Sequence, residues 1–155
     1  MNVCCPWRRE ILLILLISLV LANAASNSVT YIGGTSEAFR AGEEYRLELN
    51  QANQLRLGQK AKTLEIPYTQ ISSLEYGQKV DRRYLEAILV SPLFLLSKKR
   101  AHYLTIHYKD EKGVDQAMVL KIPSSSVRPT LASLEARTGL RVKVQDDEAR
   151  KAYRG

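Results

Sequence analysis

Residues 102–122 have the sequence HYLTIHYKDEKGVDQAMVLKI, and this stretch predicts a β-hairpin. Its first part, 102–108, is dense in residues that favour strands. The polar stretch 109–113 ends in glycine and predicts the turn. The returning strand is predicted over 114–122, where a following proline ends it. The hairpin is the clearest structural signal in the chain and indicates antiparallel β-structure.

Three short segments upstream of the hairpin alternate apolar and polar residues: 45–49, 55–57 and 64–66. The stretch 71–80, which contains Leu74 and Tyr76, is a further strand candidate. Such alternation places one face of a strand on a core and the other in water, as in an antiparallel meander. The stretch before them, 25–43, is polar and contains two adjacent glycines. It predicts a flexible lead-in with at most one short strand, over 29–32.

One helix is predicted downstream of the hairpin, over 127–138. Val127, Leu131 and Leu134 recur at helical spacing and form a narrow apolar stripe that we expect to be buried. The serines at 124–126 predict an N-cap, and Gly139 predicts a C-cap. The predicted fold is therefore mainly β, a β-sandwich or open barrel capped by one helix near the C-terminus.

The last residues predict little regular structure. Alternating apolar residues over 140–144 predict one further short strand. The stretch 145–155 is charged and is predicted to be a tail that frays.

A family resemblance follows from these segments. Residues 64–71 read LEIPYTQI, a spacing typical of bacterial pleckstrin-homology-like and GRAM-like domains. The strands at 45–57 and the terminal helix add to the likeness, and 98–106 resembles exported bacterial proteins of this type. The resemblance implies a pleckstrin-homology-like domain over 44–144. It implies binding rather than catalysis, and it transfers no ligand residues.

The first 24 residues predict a secretory signal peptide. Arg8 and Arg9 precede an apolar stretch at 11–22, and Ala22 and Ala24 occupy the small positions of a cleavage site. We predict cleavage after Ala24 and export to the periplasm or the exterior. The alternative is an uncleaved membrane anchor. Because a helix needs about 20 apolar residues to span a bilayer, cleavage is the favoured interpretation.

Charge and cysteine content narrow the expected partners. The chain has 23 basic and 16 acidic residues, and its net charge of +7 falls to +6 without 1–24. Outside the cytoplasm such a charge favours an anionic lipid surface or an envelope protein as partner, and no nucleic acid is expected. Both cysteines, Cys4 and Cys5, lie in the predicted signal, so no disulfide is expected in the exported chain.

No residue pattern selects an enzyme. His102 and His107 are five residues apart in a predicted strand, so they face opposite sides and cannot share a metal ion. We expect no cofactor, no metal and no catalytic residues. The chain is interpreted as an exported, non-enzymatic binding module of unknown ligand. The alternative is an exported hydrolase with an unrecognised carboxylate site.

An uncharged stretch at 87–96, AILVSPLFLL, departs from the alternation found elsewhere. Three interpretations compete: core, membrane interface or partner-docking segment. Under the interface hypothesis, the apolar residues enter a bilayer surface and the flanking bases contact anionic headgroups, with salt-sensitive binding to anionic vesicles. The predicted contact residues are Arg82, Arg83, Phe94, Lys98, Lys99 and Arg100.

Overall fold

The computed structural model describes residues 28–36, 38–59, 62–78 and 101–154. The predicted signal peptide, with its cleavage positions Ala22 and Ala24, lies outside the described residues. The apolar stretch 87–96 also lies outside them, as do the six predicted surface-contact residues, Arg82, Arg83, Phe94, Lys98, Lys99 and Arg100.

Among the described residues, eight strands form one mixed sheet. They are β1 (Ser28–Gly34), β2 (Glu44–Glu48), β3 (Gln54–Gln59), β4 (Lys62–Pro67), β5 (Ile71–Gly77), β6 (His102–Lys109), β7 (Asp115–Ile122) and β8 (Lys143–Val144). Their spatial order is β4-β3-β2-β1-β7-β6-β5-β8. The first seven pair antiparallel, whereas the two-residue β8 lies parallel to β5. The mainly β fold with a helical cap is confirmed.

The predicted hairpin is confirmed as the pair β6–β7. The two strands pair in continuous register from His102 opposite Ile122 to Lys109 opposite Asp115. At the turn, the Asp110 carboxylate accepts backbone N–H bonds from Lys112 at 2.9 Å and Val114 at 2.8 Å. Those bonds hold the pKa of Asp110 below its usual value, the one from Val114 contributing most.

Helix α1 (Val127–Thr138) covers one face of the sheet. Leu131 and Leu134 are fully buried in a core that also contains residues of β1 to β7, as predicted. Because one cluster joins nearly all strands to the helix, the sheet must curve around the core. Gly139 ends α1 in the left-handed conformation at φ 71°. The predicted serine cap differs: Ser126 occupies the N-cap position, but its side chain makes no capping hydrogen bond.

The lead-in predicted over 25–43 is more ordered than expected, although the short strand allowed over 29–32 lies within β1. Ser28–Gly34 forms the central strand β1, which pairs with β2 on one side and β7 on the other. Phe39 is buried among the core aromatics, with its ring 4.9 Å from that of Tyr45. The sheet therefore begins well before the predicted domain boundary at residue 44.

The predicted charged tail also differs, because Asp147–Arg154 forms a second helix, α2. Asp146 caps α2 by accepting the Ala149 N–H at 2.5 Å, and its other oxygen accepts the Gln78 N–H at 2.9 Å. The Glu135 carboxylate of α1 accepts the Val142 N–H and the Tyr153 O–H, both at 2.8 Å. The chain end is thereby fixed to β5 and α1.

Both helices are short. Within the described ranges, neither α1 nor α2 is long and apolar enough to cross a bilayer.

Candidate functional site

A groove with a volume of about 610 Å³ lies between α1 and the ends of β1 and β2. Ligand sites in proteins commonly fall in the range of roughly 300 to 1,000 Å³. The residues that line it are Ser28, Val29, Leu47, Leu49, Asn50, Pro123, Ser125, Ser126, Pro129, Thr130, Ser133 and Arg137. We call this the helix–sheet groove.

The helical wall of the groove is a row of polar side chains. Ser126, Thr130, Ser133 and Arg137 are spaced four, three and four residues apart, which places them along one side of α1. This polar row lies next to the buried apolar stripe of the same helix. Thr130 and Ser133 are half-buried and line the groove.

The strand wall combines apolar residues with the polar Ser28 and Asn50. Val29 and Leu47 are 3% and 2% exposed and belong to the main core, while Leu49 is half-buried at its border. The groove therefore has polar and apolar residues on both sides, since Pro129 also lines the helical wall.

Arg137 stands at one end of the groove and holds the neighbouring loop. Its guanidinium donates to the Gln51 carbonyl at 2.6 Å and lies 5.7 Å from the centre of the Tyr68 ring. The Tyr68 hydroxyl in turn donates to the Leu49 carbonyl at 3.3 Å. Burial raises the pKa of Tyr68, while the charge of Arg137 opposes that rise. These contacts fix the distance between the two walls at this end.

Among the described residues that line the groove, Arg137 is the only charged one. Its side chain is exposed, so its charge faces an incoming ligand. The electrostatics of the groove therefore favour a neutral ligand or one with a single negative group near Arg137.

A second, smaller pocket of about 380 Å³ lies on the opposite face of the sheet. Ser72, Ser73, Glu75, His107, Asp115, Gln116 and Lys143 line it. Ser73 and His107 are directly opposite each other across β5 and β6. This pocket contains the residue types of the hydrolase alternative, including two carboxylates.

The side chains of this pocket differ in their contacts. The Ser73 hydroxyl is shielded from solvent and makes no hydrogen bond within the described part of the chain. The carboxylates serve other contacts, since Glu75 accepts from Gln145 at 2.9 Å and Asp115 lies 3.4 Å from Lys109.

The two histidines face opposite sides of β6, as the sequence predicts. His102 Nδ1 lies 2.6 Å from the buried Tyr76 hydroxyl, and the two rings stack 9° from parallel. His107 lies in the pocket on the other face. Burial lowers the pKa of both histidines and raises that of Tyr76. In the described ranges, no three His, Cys, Asp or Glu side chains are grouped to hold a metal ion.

Comparison with known proteins gives no family. No protein-family model matches this chain, and no curated protein sequence matches it.

The groove was not among the predicted sites. Its helical wall was detectable, because hydroxyl residues follow the apolar stripe at the same spacing. Its strand wall depends on β1 and on the end of β2, and the residues around β1 were expected to be a flexible lead-in. The groove therefore becomes visible only when the sheet order is known.

Proposed function

We propose that this chain is an exported, non-enzymatic binding module with a pleckstrin-homology-like fold that binds an envelope partner in the helix–sheet groove. The observation that carries the proposal is the groove itself. It is open, combines apolar residues with several hydroxyl side chains, and is held at one end by Arg137. Such a combination of apolar area with a few placed polar groups is typical of binding sites.

The contacts in the second pocket support the proposal that the protein is not an enzyme. A nucleophilic serine needs a base within hydrogen-bond distance, and the Ser73 hydroxyl makes no hydrogen bond with any described residue. The arrangement of seven antiparallel strands followed by α1 supports the pleckstrin-homology-like interpretation.

The binding proposal is tested by filling the groove in the native cell. Thr130→Trp places a large side chain between the walls, whereas Ala132→Trp adds the same bulk on an exposed part of α1 that does not line the groove. After cell fractionation at low salt, the wild-type chain and Ala132→Trp should sediment with the envelope. Thr130→Trp should shift to the soluble fraction.

Thermal melting distinguishes loss of binding from loss of folding. If Thr130→Trp is unstable, Ser133→Phe fills the neighbouring position on the same wall and should give the same release. Wild-type sedimentation of both groove variants would contradict the proposal.

Export is tested separately by sequencing the N-terminus of the protein purified from its own cells. Cleavage should leave a chain that begins at Ala25, and Ala24→Phe should block processing because the cleavage site requires a small side chain. A native N-terminus at Met1 would favour the uncleaved anchor.

A further inference from the structure

We propose that the uncharged stretch 87–96, AILVSPLFLL, covers the face of the central strands β1, β6 and β7 that points away from α1. The stretch lies outside the described residues, whereas the sheet face itself lies within them. Of the three interpretations of this stretch, the proposal selects the core. It is independent of the helix–sheet groove, which lies on the side of α1.

The sheet face in question carries apolar side chains that are shielded from solvent. Their exposed fractions range from 0% to 8%, and we call them the outer cluster: Ile32, Ala101, Tyr103, Ala117 and Val119. Thr105 follows Tyr103 on the same side of β6 and is only 5% exposed. The shielding therefore extends along the strand beyond the cluster.

The outer cluster has members from one layer only. Within the described ranges, all of them belong to β1, β6 or β7 or directly precede β6. Both helices pack on the main core, on the opposite face of the sheet. An antiparallel sheet face without a second layer is in contact with water, so exposures near zero require further chain above it.

The chain leaves and re-enters the sheet beside the outer cluster. β5 ends at Gly77, which pairs with Tyr103, and the described chain resumes at Ala101, itself a member of the cluster. Neighbouring antiparallel strands are commonly joined by about two to five residues. Here 79–100 separates β5 from β6, so most of this connection is available to cover a face.

The stretch 87–96 can reach the whole cluster. Leu96 is five residues before Ala101, and five residues of extended chain span about 17 Å. β1 lies two strands from β6, which corresponds to roughly 10 Å across the sheet. Since α1 fills the inner face, the outer face is the one on which this stretch can bury its side chains.

Composition favours 87–96 over the other parts of the chain outside the described ranges. Apart from 79–100, those parts are 1–27, 37, 60–61 and 155. Among them only 11–22 contains a comparable apolar run, and it belongs to the signal peptide that cleavage is predicted to remove. An uncharged stretch that covers an uncharged sheet face removes apolar surface from water on both sides.

Fluorescence of a single tryptophan tests the proposal. Trp7 is the only tryptophan of the chain, so Trp7→Phe combined with Phe94→Trp leaves one reporter, within 87–96. In the folded chain without lipid, the reporter should emit at short wavelength, and acrylamide should quench it several-fold less than in urea. A reporter that is quenched as strongly in the folded chain as in the unfolded chain would overturn the proposal.

Substitutions on the sheet identify the face that the reporter contacts. Val119→Asn places an amide in the outer cluster and should increase quenching of the reporter. Thr63→Asn places the same group on the exposed side of β4 and should leave quenching unchanged. If circular dichroism shows that Val119→Asn does not fold, Val119→Ala tests the same contact. Unchanged quenching in a folded Val119 variant would contradict the proposal.

Two other arrangements give different results with the same reporter. If 87–96 enters a membrane surface, its emission should shift to short wavelength only when phosphatidylglycerol vesicles are added, and high salt should reverse the shift. If 87–96 packs on a second copy of the chain, dilution should increase quenching while sedimentation shows dissociation to monomers. Either result would overturn the proposal, which expects a buried reporter at every protein concentration and without vesicles.

Discussion

The two halves of the sheet bury their residues differently. In β2, β3 and β4, burial alternates, and the apolar side chains enter a single core. In the central strands, four consecutive residues are buried in each case: 31–34 in β1, 103–106 in β6 and 117–120 in β7. A second apolar cluster lies on the face of the central strands away from the core, formed by Ile32, Ala101, Tyr103, Ala117 and Val119.

This difference shows which strands a sequence pattern can reveal. A strand with one buried face alternates and is recognised by its period of two. A strand buried on both faces has a continuous apolar run, which has no period and resembles other buried segments. The strands of the meander are therefore packed on one face only, whereas the central strands are packed on both faces.

The largest loss of stability is expected when a buried side chain is truncated in one of the central strands, β1, β6 or β7. Leu104 in β6 is fully buried in the main core. Leu104→Ala should lower the free energy of unfolding by about 2–5 kcal/mol, because it loses the transfer energy of the side chain and leaves a cavity. Leu64→Ala removes the same atoms from the half-buried edge strand β4 and should cost about 1 kcal/mol. Urea unfolding measures both, and equal losses would contradict the comparison.

Replacing a strand glycine by alanine should also destabilise the central strands more than the meander. In β1, a Cβ at Gly34 would lie 2.6 Å from the Ala117 carbonyl oxygen and would clash with the Tyr31 hydroxyl. Gly34→Ala should therefore cost about 1–3 kcal/mol, since backbone must move. In β3, a Cβ at Gly58 would lie 3.0 Å from the Thr63 hydroxyl, which can rotate, and 3.1 Å from the Lys62 carbonyl oxygen, which needs to shift by only a few tenths of an ångström.

Gly58→Ala is the matched control for that prediction. The reduced entropy of its unfolded chain offsets the mild crowding, so the change in unfolding free energy should stay within about 1 kcal/mol. If Gly58→Ala destabilised the protein as much as Gly34→Ala, the backbone of the meander would be packed as tightly as that of the central strands.

The meander and α1 were predictable because each has one buried face and therefore a period. The hairpin, whose strands are buried on both faces, was predictable because strand-favouring residues flank a polar turn that ends in Gly113. The length of β1 and its central place in the sheet were not predicted, because its buried run ends in Gly33-Gly34. Two adjacent glycines indicate a loop when the neighbouring strands are unknown. The close approach of β7 to Gly34 is the reason for glycine there.

Helix α2 and the groove were not predictable for a related reason. Five of the eight residues of α2 are charged, and the helix is held by distant partners, Gln78 and Glu135. Both partners become neighbours only in the folded chain. In the same way, Leu47 and Thr130 form opposite walls of the groove although 83 positions separate them in sequence. A local sequence pattern can therefore indicate one wall of the groove, but not that the two walls face each other.

A smaller effect is expected from pH, and it belongs to the central half because both histidines of the chain lie in β6. Burial lowers the pKa of His102 and His107 below 6.5 in the folded state. Below about pH 6.5 the unfolded state therefore binds more protons, and stability falls as pH falls towards the lowered pKa values.

Urea unfolding between pH 7.5 and 5.5 measures this dependence. The wild-type chain should lose stability over that interval, and His102→Gln or His107→Gln should each reduce the slope. The interval avoids the titration of Glu135 and Asp110, whose pKa values are lowered by hydrogen bonds. An unchanged slope in both variants would show that neither histidine is linked to folding.

The smallest expected effect is that of the ion pair in the meander. Arg56 and Glu65 are directly opposite on β3 and β4, with Nε and Oε1 3.0 Å apart and side chains 43% and 44% exposed. Water and salt screen such a pair, so a double-mutant cycle with Arg56→Gln and Glu65→Gln should give a coupling below about 1 kcal/mol. High salt should reduce it further. A coupling comparable to the loss in Leu104→Ala would mean that electrostatics, rather than a single apolar face, holds the edge half of the sheet together.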